Sequence, residues 1–141
     1  MSQRFSVAVH ILALLASEPS KLLTSEWIAS SVNTNAVVVR RLLGLLRRAG
    51  WVKTRAGREG GFELAVDPSA LTLREVYQAV EEGRIIGIHA APNPRCPVGS
   101  CIGAALGSVV ASAQEAMLAE LGKRSLADVV KELSVRRERK G

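Results

Sequence analysis

Apolar residues recur at helical spacing from the very start of the chain. Between Ser2 and Ala16, Phe5, Val9, Leu12 and Ala16 share one face with Ala8, Ile11 and Leu15 beside them, which predicts a strongly apolar first helix capped by Ser2. Glu18-Pro19-Ser20 ends it. Thr24-Ser25-Glu26-Trp27-Ile28-Ala29 opens a second helix. There Thr24 or Ser25 supplies the capping oxygen, and the free first-turn amides can face a phosphate. Ala29 is small where two helices must cross, and Val32-Asn33-Thr34-Asn35 makes a turn and a fresh cap. From there Ala36, Val39, Leu42, Leu43 and Leu46 form an apolar stripe, with Asn35, Val38, Arg40, Arg41, Arg47 and Arg48 largely outside it. Gly50 stops this third helix. The period then changes to two: Trp51, Val52 and Thr54 suit a strand, AGREGG tolerates a tight turn, and Phe62, Leu64 and Val66 return. Two helices joined by a tight turn and followed by a hairpin describe a winged helix-turn-helix, with the helix after Asn35 in the recognition position.

Asp67-Pro68-Ser69 turns the chain, and Thr72 caps a short helix from Leu73 to Glu82 with Leu73, Val76, Tyr77 and Val80 inward, placed to buttress the hairpin. Gly83 to Pro94 is looser, and Pro92-Asn93-Pro94 favours extended geometry. Pro97 suits a first helical position, opening a long helix to about Leu121. Val98, Ile102, Ala105, Leu106, Val109, Ala113, Met117 and Leu121 form a seam too long for a small domain to cover alone. Gly99, Gly103, Gly107 and Ala111 recur at every fourth position, and an interior helical glycine costs roughly 1 kcal/mol relative to alanine. Close packing against a second copy of the helix accounts for that pattern; burial against the first helix of the same chain is the alternative. Gly122 ends the arm, Ser125 caps a helix from Leu126 to Leu133, and RRERKG reads as a frayed basic tail. The expected fold is mainly α with a small β-hairpin. Residues 1–82 form a winged helix-turn-helix domain, 83–96 a linker, and 97–141 a dimerisation helix and C-terminal helix.

Composition narrows this picture. At 141 residues, with 48% apolar but only 4% aromatic side chains, one core of Leu, Val, Ile and Ala on helices is expected. No run of about 18 uncharged apolar residues or secretion signal stands out, so a soluble cytoplasmic protein without a membrane partner is expected. The charge matters more. The net value is +6, and Arg40, Arg41, Arg47, Arg48, Lys53, Arg55 and Arg58 follow one another without an intervening acid. A one-sided basic patch on a helix and the adjoining hairpin fits double-stranded DNA. A merely solvated helix face is the bland alternative. An RNA reader of the sheet type would want aromatic stacking residues, and Phe5, Trp27, Trp51, Phe62 and Tyr77 stand mostly at core-like positions.

Two cysteines and two histidines leave little for a disulfide framework or a metal site. His10 reads as a packed or hydrogen-bonded helical residue. Cys96, at a helix start beside Arg95, is the better redox candidate, because such a position lowers a thiol's pKa. Cys101, about a turn further on, is either its resolving partner after local unwinding or a buried small hydrophobe. A thiol enzyme built on Cys96 lacks a base, since His89 lies seven residues away with nothing to orient it.

These segments, taken together, resemble the Rrf2 family of bacterial winged-helix transcription regulators over nearly the whole chain. The likeness rests on SVAVHILALLAS, SSVNTNAVVVRRLLGLLRRAGWV, GREGGFELAVDPSALTLREVYQAVE and NPRCPVG. VNTN, VVVRRLL and NPRCPVG are most similar to the YwnA-like branch, not known for carrying an iron–sulfur cluster. The resemblance implies a homodimer on a palindromic operator, repression being the default, with no enzyme activity. By position it places Asn35, Val37, Val38, Arg40 and Arg41 at bases or nearby phosphates, and the wing tip from Arg55 through Gly57 and Arg58 to Gly60 in the minor groove. Arg40 or Arg41 would read guanine bidentately and Val38 a thymine methyl. Many members carry arginine directly before the first wing glycine, where this chain has Ala56. Cluster-bearing members show three cysteines near the linker, whereas only Cys96 and Cys101 occur here, so no cofactor is expected. A thiol signal through Cys96 and a small-molecule effector between wing and arm both stay open.

Overall fold

Described over residues 2–141, the computed structural model converts these stripes into six α-helices and one hairpin. The order is α1 (Arg4–Ser17), α2 (Ser25–Val32), α3 (Ala36–Arg48), β1 (Val52–Arg55), β2 (Gly61–Leu64), a 3-10 turn (Pro68–Ala70), α4 (Leu73–Val80), α5 (Gly99–Leu121) and α6 (Leu126–Lys140). The core joins Ala8, Ile11, Leu12 and Leu15 of α1 to Ile28 of α2, Val39, Leu42, Leu43 and Leu46 of α3, and Val76 and Val80 of α4. The buried stripe of α1 is rotated from the expected one, so Phe5, Val9 and Ala16 flank it half-buried.

Free amides at the start of α1 are satisfied from far along the chain. Gln3, not Ser2, occupies the cap position and gives no side-chain bond. Instead Glu81 Oε1, just past α4, accepts from the Phe5 N–H at 3.1 Å and from the Ser2 hydroxyl at 2.7 Å. Ser2 Oγ in turn accepts from the Arg4 N–H at 3.2 Å. A carboxylate there both fills orphan donors and complements the positive end of the helix.

The end of α3 is set by Gly50, whose φ of +85° suits a residue without Cβ. The Trp51 N–H donates to the Leu46 carbonyl at 3.1 Å and the Gly50 N–H to that of Arg47 at 3.0 Å, the paired bonds of a Schellman stop. The hairpin then pairs Val52 with Leu64, Lys53 with Glu63, Thr54 with Phe62 and Arg55 with Gly61. Leu23, ahead of α2, adds a third edge by exchanging bonds of 3.0 and 2.8 Å with Phe62. At Gly61 a Cβ would stand 2.8 Å from the Leu23 carbonyl oxygen, so glycine is what lets the wing lie against that segment.

Helix α4 carries the expected Thr72 cap, as a capping box with Glu75. It stops at Val80, two residues short of expectation, and packs on α1, α3 and α5. The wing is backed by α1 and Leu23, which replaces the expected buttress.

Helix α5 begins at Gly99, because residues 94–98 form turns before it. Two of its glycines, Gly99 and Gly107, have neighbours in the chain's own linker. A Cβ at Gly99 would lie 2.7 Å from the Asn93 carbonyl oxygen and one at Gly107 3.9 Å from Ile88 Cδ1, while the Ile85 N–H donates to Gln114 Oε1 at 3.2 Å. The linker backbone thus explains the glycine at Gly99 alone: a Cβ at Gly107 would make an ordinary contact and one at Gly103 would meet nothing within 4 Å, so the linker gives no reason for glycine at either. Val98, Ile102, Leu106 and Val109 are left exposed as a separate stripe. The helix is also long and apolar enough to cross a membrane by length and composition, its most apolar 18-residue window having a mean hydropathy of 1.4, although Glu115 and Glu120 keep it from being one uncharged run.

Helix α6 returns to the winged unit. Leu126 is fully buried in its core, the Leu126 N–H donates to Leu71 O at 2.8 Å, and the Leu73 N–H donates to Arg124 O at 2.9 Å. Ser125 and Asp128 make a capping box, and the Ser125 backbone N–H followed by its hydroxyl holds the Asp128 carboxyl below its ordinary value. The helix continues through the segment expected to fray. No glycine or proline interrupts 126–140, and Arg136 Nε reaches Glu132 Oε1 at 2.7 Å one turn back.

Candidate nucleic-acid interface

The two helices of the reading unit are set by short polar side chains. Thr24 Oγ1 accepts from the Trp27 N–H at 3.1 Å and starts α2, with Ser25 as its first residue. Asn33, at φ +59°, closes α2 in the left-handed conformation open to asparagine. Asn35 Oδ1 then accepts from the Val37 N–H at 2.7 Å and starts α3. That bond occupies the amide oxygen of Asn35 and leaves its NH2 donors outward.

Once α3 has buried Val39, Leu42, Leu43 and Leu46, its opposite face is determined. Val37, Arg40, Arg41, Arg47 and Arg48 are exposed there, and Val37 is 55% accessible. Val38 is half-buried against the core, so the apolar side chain held outward is Val37. Gly44 lies on the outward side as well, where a Cβ would meet nothing within 4 Å. A glycine there costs about 1 kcal/mol without any packing need, and it leaves α3 free to approach a partner closely. Its one signal in the sequence is a lone glycine between Leu43 and Leu45 inside a helical stripe.

None of the four α3 arginines has an acidic partner among the described residues. The wing differs. Glu63, across the hairpin from Lys53, draws both Lys53 Nζ and Arg55 Nε to 3.6 Å. Its Oε1 is buried without a hydrogen-bond partner. Arg58 and Glu59 share the exposed tip, which turns at Gly57 (φ +105°) and closes with a Gly60 N–H bond to Gly57 O at 3.1 Å. The uninterrupted run of cations seen along the sequence is thus interrupted in space, through the Lys53–Glu63 register. That register could have been read from hairpin alternation. Lys53 and Arg55 keep their charged ends largely in solvent, and the buried Oε1 accepts no hydrogen bond that an amide would lose, so Glu63→Gln should fold normally. It should raise duplex affinity severalfold at low salt and steepen the salt dependence, as titrations at several salt concentrations would show; an unchanged slope would mean that Lys53 and Arg55 do not meet phosphate.

Both cysteines are free and exposed. Cys96 lies in the turn before α5, three residues ahead of its first residue, and its N–H donates to Asn93 O at 3.1 Å. Cys101 sits in the first turn of α5 with Ser100 Oγ at 3.7 Å, and is not covered by its own chain. His10 is exposed as well, facing α6 across a concavity and not packed. No group of three or more His, Cys, Asp or Glu side chains gathers among the described residues. Two cysteines with no third donor near them do not fit an iron–sulfur cluster held by one chain.

A capped helix-turn-helix, a basic outward face on its second helix and an adjoining hairpin define a winged helix-turn-helix DNA-binding protein. The sequence profile of Rrf2, described as an iron-dependent transcriptional regulator, matches residues 1–132. The chain therefore belongs to the Rrf2 family of transcriptional regulators. It is 44% identical over 134 residues to YwnA of Bacillus subtilis strain 168, provisionally named an HTH-type transcriptional regulator; the match covers 94% of this chain and 98% of YwnA. A crystal structure provisionally described as that of a DNA-binding protein superposes with a TM-score of 0.72 at 44% identity, over 90% of this chain and 98% of the other. A Lactobacillus plantarum protein provisionally described as a transcriptional regulator shares the fold at a TM-score of 0.83 and 22% identity, over 99% of both chains. The chain is a DNA-binding regulator and not an enzyme.

Proposed function

We propose that this regulator acts in the cytoplasm as a homodimeric repressor of a palindromic operator. Residues 1–82 read the DNA, 83–96 link, and α5 joins two copies, with α6 packed back on the winged unit. One observation supports the reading above all: four unpaired arginines on the outward face of α3 belong to a chain whose α5 carries an uncovered apolar stripe. The first supplies attraction to phosphate and bidentate donors for guanine. The second supplies a self-complementary surface for a two-fold pair. Within each copy the amides at Thr24 and Ser25 meet a phosphate. Asn35, Val37, Arg40 and Arg41 face base edges, Val38 supports them from the core side, and Arg55, Gly57 and Arg58 reach the flanking minor groove. Selection of bound sites from random duplex DNA tests this. A palindrome whose half-sites lie one helical turn or a multiple of it apart is expected, and recovery of a single asymmetric site would overturn the dimeric reading.

A thiol input through Cys96 is favoured by the exposure of both cysteines at the joint where the linker enters α5. Peroxide would convert the Cys96 thiol to a sulfenic acid with release of water, and Cys101 could then close a disulfide with loss of a second water. Closing it would unwind the first turn of α5 and shift the arm. Operator affinity should change on peroxide treatment in the parent and stay constant in Cys96→Ser; equal responses in both would remove Cys96 from the switch and favour a small-molecule effector.

A further inference from the structure

We infer that the C-terminal turns of α6 are an additional contact for the DNA backbone, beyond α3 and the wing. The inference rests on the DNA-binding reading and concerns a segment past the family's matched residues 1–132. Four observations converge on it. The segment is helical to Lys140, so its side chains are presented by a defined surface. Its charge is one-sided: Arg136, Arg137, Arg139 and Lys140 stand against Glu138 alone in 133–141. Only Arg136 is engaged by an acidic partner among the described residues, at 2.7 Å to Glu132 Oε1.

The fourth observation is placement. Helix α6 packs along α1, and as far as Arg137 it shares a concavity with Trp27 in the first turn of α2. A concavity of about 340 Å³ there is shared by Glu18 at the end of α1, Trp27 in the first turn of α2, and Leu133, Ser134 and Arg137 of α6. The first turn of α2 is where the proposed reading puts a phosphate. Arg137 lines the same concavity, and Arg139 and Lys140 follow it within one turn. Polyanionic duplex is the partner this charge fits, and the contact would lie outside the bases read by α3. It would therefore add affinity without adding sequence preference.

The complementary explanation is that these cations only offset the negative end of the α6 dipole. Salt dependence separates the two, because each phosphate contact steepens the slope of log affinity against log salt by about 0.9. The parent is compared with R137Q/R139Q/K140Q and with R84Q/K123Q/K131Q, which removes the same charge elsewhere; circular dichroism checks that both remain helical. On operator and on unrelated duplex alike, the tail variant should bind at least about tenfold more weakly at low salt, with a slope shallower by up to roughly 5 when each copy of the dimer loses three contacts, and the control should match the parent. An unchanged slope in the tail variant, or an equal loss in the control, overturns the inference. A parent that ignores every duplex removes the DNA-binding reading itself and this inference with it. A parent that binds while the tail variant is unaffected removes the tail contact only.

Discussion

Replacing Arg40 and Arg41 together by alanine should weaken operator binding by about a hundredfold or more while leaving the fold intact. Both side chains are exposed on the outward face of α3, and neither has an acidic partner among the described residues. They carry no packing, and alanine is the best helix former, so stability should stay within about 0.5 kcal/mol of the parent. A bidentate arginine–guanine contact contributes about 1–3 kcal/mol of discrimination, and in the proposed homodimer both copies would lose it. The form of the loss identifies what each arginine does. A guanine contact would lower affinity for the operator much more than for random duplex, whereas a phosphate contact would lower both and reduce the salt slope by about 0.9 per contact. Titrating operator and random duplex at several salt concentrations resolves these cases. Binding indistinguishable from the parent, in a variant with a parental melting curve, would remove α3 from the interface.

How much of this could be read from the chain depends on how local the deciding interactions are. Thr24, Asn35 and Thr72 cap helices through bonds spanning two or three residues, and Gly50 ends α3 within its own turn; these short-range features were readable. What was missed lies far apart in sequence. Glu81 satisfies the start of α1 across 76 residues, and Glu63 tempers the wing only once the strands pair. Leu23 reaches the hairpin from before α2. The glycines of α5 show a different limit: their spacing signals close approach without saying by what, and Gly99 turns out to make room for the linker backbone. At α6, a basic ending suggests fraying, although capping at Ser125 and the Glu132–Arg136 pair favour a continuing helix. For the interface, the arginines were legible from stripe geometry, but the contrast between exposed Val37 and half-buried Val38 required the core to be in place.

Disrupting the stripe on α5 should have an effect as large as removing the α3 arginines, by a different route. Leu106 is 46% and Val109 63% exposed, with Val98 and Ile102 on the same side, and burying a side chain of this size contributes roughly 1.5–3 kcal/mol. A contiguous exposed apolar surface of that kind marks an interaction site, and in a two-fold pair every residue counts twice. The double variant Ile102→Asp/Leu106→Asp puts two carboxylates into the seam of each copy, where their desolvation and mutual repulsion oppose association. Sedimentation should then show a monomer with parental helicity, since neither position lies in the monomer core. Operator affinity should fall at least about a hundredfold, because a tethered second half-site is met at millimolar effective concentration and an untethered one is not. Affinity for an isolated half-site should stay near parental, since α3 and the wing are untouched. Ser108→Asp, on another face of the same helix, adds charge outside the stripe and should leave the dimer in place. If the double variant remains dimeric, α5 is not the joining surface, and its apolar stripe must be covered by something else.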